Sequence, residues 1–131
     1  MNERIELSWV GEPKAKQSTR FVRGHCYVPA DIKAAKAIAW PQIMKYIPAT
    51  PITAPLRVEI RFFHKQPMKW TAKHKAQSFQ KTSVPDLDNL AKFVLDMLKG
   101  KFFLDDSQVV YLSMSKEYST IARTDVDLIP V

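Results

Sequence analysis

Leu56-Arg57-Val58-Glu59-Ile60-Arg61-Phe62 alternates apolar and charged residues without a break. Successive side chains of a β-strand point to opposite faces, so this stretch describes a strand with one dry face and one wet face. Toward the C-terminus, Leu87, Leu90, Ala91, Val94, Met97 and Leu98 fall at helical spacing and form one apolar stripe over Leu87–Lys99. Gly100 supplies a stop, and Lys99 and Lys101 suit the negative end of the helix. Val110, Leu112 and Met114 alternate with Tyr111, Ser113 and Ser115 as another strand, and Val126 and Leu128 mark a last one. Toward the N-terminus, Ile5, Leu7 and Trp9 alternate with Glu6 and Ser8, until Gly11-Glu12-Pro13 breaks the pattern. A short strand is expected at His25–Val28. Ile32, Ala35, Ala39, Ile43 and Tyr46 then take helical spacing behind Asp31, with a kink or break expected near Trp40 because Pro41 interrupts the run. Pro48, Pro51 and Pro55 mark an extended connection. From Lys65 to Val84 no periodicity is visible, which predicts a long functional or mobile loop. The whole reads as one α+β domain over residues 1–131, a sheet with helices packed on it.

Composition narrows the partners. With 46% hydrophobic and 25% charged residues the chain is an ordinary globular protein, and no apolar run approaches the roughly 20 residues of a membrane helix. The first residues do not read as a secretory signal, and Cys26 is alone, so neither a disulfide within the chain nor a cysteine-held zinc is expected. The cytoplasm is the expected compartment. Twenty Lys and Arg against 13 Asp and Glu give a net charge of +7. That excess favours a polyanion, with nucleic acid first and an anionic membrane surface second.

The chemistry is concentrated in Pro85-Asp86-Leu87-Asp88-Asn89-Leu90-Ala91-Lys92, followed by Asp105-Asp106. Residues two apart lie about 200° apart around a helix but share a side in an extended chain. Asp86 and Asp88 therefore converge if the helix starts at about Asp88, with Asp88 as its N-cap and Lys92 one turn in on the same side. The helix carries the chain roughly 16 Å away, and Gly100 to Asp106 can span up to roughly 20 Å if extended. A return of Asp105 and Asp106 to the first pair is thus within reach, with Phe102, Phe103 and Leu104 pinning the path. Several carboxylates brought together need a cation, and oxygen-only ligands suit Mg²⁺ or Mn²⁺. Such an ion polarises a phosphodiester and lowers the pKa of bound water, while Lys92 supplies fixed positive charge.

Each part also has an ordinary reading. Asp88 serves equally as a helix cap, Asp86 as a complement to the helix dipole, Lys92 as an ion-pair partner of Asp88 or Asp96, and Asp105-Asp106-Ser107 as a plain turn. An isolated D-x-D also occurs in sugar transferases and phosphatases.

Taken together, Pro85-Asp86-Leu87-Asp88-Asn89-Leu90, Lys92, Asp96 and Leu104-Asp105-Asp106-Ser107-Gln108-Val109-Val110 resemble the RusA family of Holliday junction resolvases, often carried by phages and prophages. The resemblance is strongest over Val84 to Lys116. Gly11-Glu12-Pro13-Lys14-Ala15-Lys16 and Lys69-Trp70 add to it, standing where the family has similar basic segments. It implies a homodimer with a mixed sheet and helices, cutting four-way DNA junctions with Mg²⁺ (Mn²⁺ as a substitute) in recombination and repair. It also implies catalytic and metal-binding roles for Asp86, Asp88 and Asp106, a catalytic lysine at Lys92, and a ligand or supporting role for Asp105. Hydrolysis by an activated water, leaving a 5′-phosphate and a 3′-hydroxyl, and paired nicks from two active sites complete the implied mechanism.

Lys14, Lys16, Arg20 and Arg23, with Lys69, Lys73, Lys75 and Lys81, are the expected phosphate contacts; the other reading is a solvated basic loop. Trp70 and Phe79 either wedge into DNA or pack their loop against the core, the commoner use of aromatics. His25, His64 and His74 have no metal-ligand spacing, and Asp96 is expected to be structural. The competing functions are a less selective metal-dependent nuclease on branched DNA and a DNA-binding accessory protein that does not cleave.

Overall fold

In the computed structural model of the chain, side chains are described for residues 3–16, 30–77 and 79–131, and the backbone also for residues 20–22 and 25–27. Strand β1 (Ile5–Val10) is followed by a small antiparallel hairpin, β2 (Arg20–Val22) and β3 (His25–Tyr27). Helix α1 (Ala30–Ile43) ends in a 3₁₀ turn, Met44–Tyr46. Strand β4 (Leu56–Lys65), the short helix α2 (Ala72–Lys75), helix α3 (Leu87–Leu98) and strands β5 (Val109–Ser119) and β6 (Arg123–Pro130) complete the order. The four long strands form one mixed sheet in the order β1-β6-β4-β5, with β5 parallel to β4 and the other pairings antiparallel. A parallel pair needs a crossover, and α3 lies within it. Among the described residues no helix is long and apolar enough to cross a membrane.

Alternation in β4 has the consequence its sequence demands. Leu56, Val58, Ile60 and Phe62 are buried while Arg57 and Arg61 are exposed. The buried set joins Leu7 and Trp9 of β1, Val126 and Leu128 of β6, and Leu90, Phe93, Val94 and Leu98 of α3 in one core. Ile32, Ala39 and Ile43 bring α1 into the same cluster. Gly100, at φ +86°, takes the left-handed conformation that ends α3.

Three expectations are corrected. Of the kink or break expected near Trp40, the break does not occur: helix α1 runs through Pro41 to Ile43. Proline deprives only the Ala37 carbonyl of its partner, and both residues are exposed, so water can serve. Gln42 then fastens the helix end to β1, accepting from Val10 N at 2.7 Å and donating to Val10 O at 3.0 Å. The Lys65–Val84 segment is more ordered than a bare loop. Thr71 caps α2, and Trp70 packs edge-on against Phe79 (5.2 Å) and Tyr118 (4.9 Å). Residues 79–81 run beside β5, with Tyr118 N donating to Phe79 O and Lys81 N to Lys116 O. The two aromatics thus pack rather than project. Helix α3, finally, starts at Leu87, where its apolar stripe begins, but its cap is Asp86 and not Asp88.

Candidate active site

Asp86 leaves the turn 83–85 in an extended conformation, φ −76° and ψ 147°, and the helix begins behind it. Its carboxylate makes no capping hydrogen bond. Asp88 sits in the first turn, and both side chains are exposed. The extended D-x-D geometry expected from the sequence is therefore replaced by a cap and a first-turn residue. Among the described residues neither carboxylate forms an ion pair or side-chain hydrogen bond. Both lie at the N-terminal end of α3, the positive end of its dipole. Lys92 stands one turn further, exposed, with Nζ 3.5 Å from Asn89 Oδ1.

Asp105 and Asp106 do not come back to them. After α3 the chain folds tightly: Phe102 N donates to Leu98 O and Gly100 N to Phe103 O. Phe102 and Phe103 are buried there, and Ile52 N donates to Phe102 O. Lys99 Nζ reaches Asp105 Oδ1 at 3.2 Å, which fixes the second acidic pair at the C-terminal end of α3. The helix has 12 residues, so at 1.5 Å each the two acidic pairs are separated by roughly 18 Å. This corrects the expectation that Asp86, Asp88, Asp105 and Asp106 meet within one chain. Among the described residues no group of three potential metal ligands is assembled. The span of Gly100 to Asp106 was an upper limit, and burying two phenylalanines beside the helix end used the chain length instead.

The two later acids differ in kind. Asp105 caps the 3₁₀ turn Asp106–Gln108 in a reciprocal capping box. Hydrogen bonds from Ser107, then the Lys99 ammonium, hold its carboxyl down at about 2. Asp105 correspondingly raises Lys99. Asp106 is exposed and has no side-chain hydrogen bond or ion pair among the described residues, which leaves it the freer carboxylate.

The predicted basic residues fall in different settings. Lys16 N donates to Asn89 O at 2.9 Å, bringing the Pro13–Lys16 segment alongside the first turn of α3. Lys16 Nζ pairs with Asp96 at 3.1 Å, as does Lys36, so Asp96 is structural; burial works against its ionisation, but the two lysines win and its pKa falls. Lys14 is paired to Asp31 at 2.6 Å. Lys69, Lys73 and Lys75 are exposed on and before α2, whereas Lys81 is half-buried, with Nζ 2.7 Å from Ser83 Oγ and lying over the Tyr118 ring. The side chains of Arg20 and Arg23 lie outside the described residues.

Sequence reading missed three residues beside the site. Lys116 Nζ donates to the carbonyls of Ser83 and Pro85, both at 2.8 Å. The Tyr118 hydroxyl is shifted down, first by Ser83 and then, against burial, by Lys81. His64, only 4% exposed, shares a 3.1 Å contact between Nδ1 and Glu12 Oε1, while its Nε2 is buried without a partner among the described residues. Burial drives the His64 pKa down, and Glu12 offsets this in part. No local pattern marks these residues, because strand register brings them together: Lys116 lies opposite Phe62, and Tyr118 opposite His64.

The donor chemistry is that of a hard cation. Mg²⁺ keeps most of its waters and needs only one or two protein carboxylates plus substrate phosphates, so an exposed carboxylate such as that of Asp86 or Asp88 suits it in kind. The arrangement is that of an α+β protein whose mixed sheet carries exposed carboxylates at the start of one helix. The chain belongs to the RusA endodeoxyribonuclease family: the family described as Endodeoxyribonuclease RusA matches residues 10–129. It is 33% identical over 132 residues to "Uncharacterized protein YqaN" of Bacillus subtilis (strain 168), covering 93% of each chain. It is also 36% identical over 80 residues to "Crossover junction endodeoxyribonuclease rusA" of Lactococcus phage r1t, covering 59% of this chain and 56% of that one. The α+β fold and the endonuclease activity implied by the motif both agree with this family, and the phage relative agrees with the implied phage connection.

Proposed function

We propose that this protein is a cytoplasmic resolvase of four-way DNA junctions, acting as a two-fold homodimer with Mg²⁺, or Mn²⁺ in its place. The observation that carries the reading is the pair Asp86 and Asp88, exposed and uncommitted at the start of α3 in a RusA-family chain. A divalent cation bound there supplies Lewis-acid polarisation of the phosphodiester and a more acidic water. The chain's own residues do the rest. Asp86 and Asp88 would hold the ion, and Lys92 places positive charge one turn away, to meet the negative charge that builds on the phosphate oxygens in the pentacovalent transition state. Lys69, Lys73, Lys75 and Lys81 offset the repulsion between acids and phosphates; Lys14 and Lys16 extend that basic surround, and Arg20 and Arg23 are taken as phosphate contacts on sequence grounds alone.

The separation of the acidic pairs supports a dimer. One chain holds Asp106 roughly 18 Å from Asp86, so Asp106 can join Asp86 and Asp88 only from a second copy. Strand β5 suits such an encounter. Residues 109–115 form a sheet edge that exposes Val110, Tyr111 and Leu112, with Asp105-Asp106 at one end and Lys116 at the other. Antiparallel pairing of two such edges would lay the acidic end of each copy against the basic end of its partner.

The test is incubation of the purified protein with a labelled four-way junction and a matched duplex, with and without Mg²⁺. Symmetric nicks confined to the junction and to the Mg²⁺ arm are expected. Equal cutting of the duplex would replace junction selectivity with a general branched-DNA nuclease, and a gel shift without cutting would leave a binding protein.

A further inference from the structure

Asp86 presents a problem of direction. A helix cap ordinarily has its side chain fixed by a hydrogen bond to the first-turn amides, but Asp86 makes none. Its carboxylate therefore points where the preceding backbone aims it, and that backbone is the turn 83–85. This turn is gripped from β5. Lys116 Nζ donates to Ser83 O and to Pro85 O, both at 2.8 Å. Pro85 O belongs to the peptide unit that carries the Asp86 amide, so its orientation sets the plane from which Asp86 leaves. Lys81 adds a second hold, with Nζ on Ser83 Oγ at 2.7 Å and N on Lys116 O at 3.0 Å. Two of the three Lys116 ammonium protons are thus spent on the turn, which leaves it poorly suited to be one more phosphate contact.

We propose that Lys116 is a positioning residue for the acid site. By clamping the Ser83 and Pro85 carbonyls it fixes the aim of Asp86 and so sets how tightly Asp86 and Asp88 hold a divalent cation. The inference rests on the reading of those two carboxylates as metal ligands.

Electrostatics gives the test its sign. A lysine beside a cation site repels the ion, so if Lys116 acted only through its charge, neutralising it would tighten metal binding. If Lys116 acts as a clamp, neutralising it weakens binding, by roughly tenfold or more, as for other residues that orient metal ligands. The experiment is Mn²⁺ titration of the full chain without DNA, followed by electron paramagnetic resonance, on the wild type, Lys116→Met, Lys116→Arg, Lys36→Met and Asp88→Asn. Thermal melts on each variant report folding. Weakened Mn²⁺ binding in Lys116→Met, recovery in Lys116→Arg, and a wild-type value in Lys36→Met, which loses a comparable charge tied to Asp96, are expected. Should Lys116→Met fail to fold, Lys116→Gln, which can serve one carbonyl, is expected to show an intermediate loss. Unchanged or tighter Mn²⁺ binding in a folded Lys116 variant overturns the clamp while leaving the acid site intact, provided Asp88→Asn has lost the metal. Equal binding by Asp88→Asn and the wild type overturns the acid site itself, and the clamp with it.

Discussion

If the site is completed by a second copy, two inactive chains should repair one another. Asp86→Asn removes the acid at the start of α3, and Asp106→Asn the one near its end, roughly 18 Å away along a 12-residue helix. Oxygens that share one Mg²⁺ at about 2.1 Å cannot be more than about 4.2 Å apart, so no side-chain motion joins these two acids within one chain. Each variant alone forms dimers with two damaged sites. In a co-expressed equal mixture about half of the dimers contain one chain of each kind, by random assortment of a two-fold pair. In such a heterodimer one site collects both substitutions and the other collects none. Half the dimers with one of two sites intact leaves about a quarter of the wild-type site density. Single nicks on a labelled junction should return at about that fraction, whereas paired nicks should not, because the opposed site in the same dimer is dead. Two affinity tags then allow heterodimers to be purified, and in that fraction single nicks should rise to about half of the wild-type site density, since every dimer has one intact site of two. Heterodimers isolated in this way that make no nicks would refute completion in trans.

Three further outcomes can be checked. Asp88→Asn should still shift junctions in a gel, because the surrounding lysines are untouched, while cutting falls by more than about a hundredfold, beyond the loss typical of residues that merely support a metal ligand. Retained cutting would remove Asp88 from the site. His64 is held below its ordinary pKa by burial, so in acid the unfolded chain takes up a proton at this position before the folded one does. The His64 contribution to stability is thus complete above about pH 6.5 and declines as pH falls below it; the melting temperature between pH 7.5 and 5.5 should drop more for the wild type than for His64→Gln, and equal slopes would contradict this. Phe103→Ala, at a fully buried side chain in the turn that seats Asp105 and Asp106, should cost about 3–5 kcal/mol in denaturant unfolding. A loss below about 1 kcal/mol would mean the turn is held by something else.

The parts of this protein legible in its sequence are those governed by short periods. The alternation at Leu56–Phe62 and the stripe at Leu87–Leu98 each name their own buried face, and the structure buries them accordingly. Two steps escaped. The start of α3 depended on which of two aspartates caps the helix, and composition does not separate them, since Asp is suited both to a cap and to the first turn. The course of Gly100–Asp106 was framed as a question of reach, and reach sets only a limit. Phe102 and Phe103 held the deciding information: two adjacent aromatics directly after a helix are most easily buried against that same helix end. Lys116 was invisible for a different reason. Its partners are main-chain carbonyls more than 30 positions away, and main-chain groups leave no mark on sequence pattern.

Holding the acids apart has an energetic logic. Four carboxylates gathered in a single chain would repel one another in the absence of a cation, and the fold would bear that cost whenever the ion dissociated. In this structure each chain avoids it: Asp105 is paired with the Lys99 ammonium and hydrogen-bonded by Ser107, and Asp86 and Asp88 rest at a positive helix end. Repulsion would then arise only when two copies meet, and the cation relieves it there. Self-association and metal binding become linked equilibria on the proposed reading, each strengthening the other by the same factor. Sedimentation of the wild type should therefore show a tighter dimer with Mg²⁺ than without, and Asp106→Asn, which lowers the repulsion, should lose most of that dependence. A dimer whose dissociation constant ignores Mg²⁺ would place the metal away from the contact between copies.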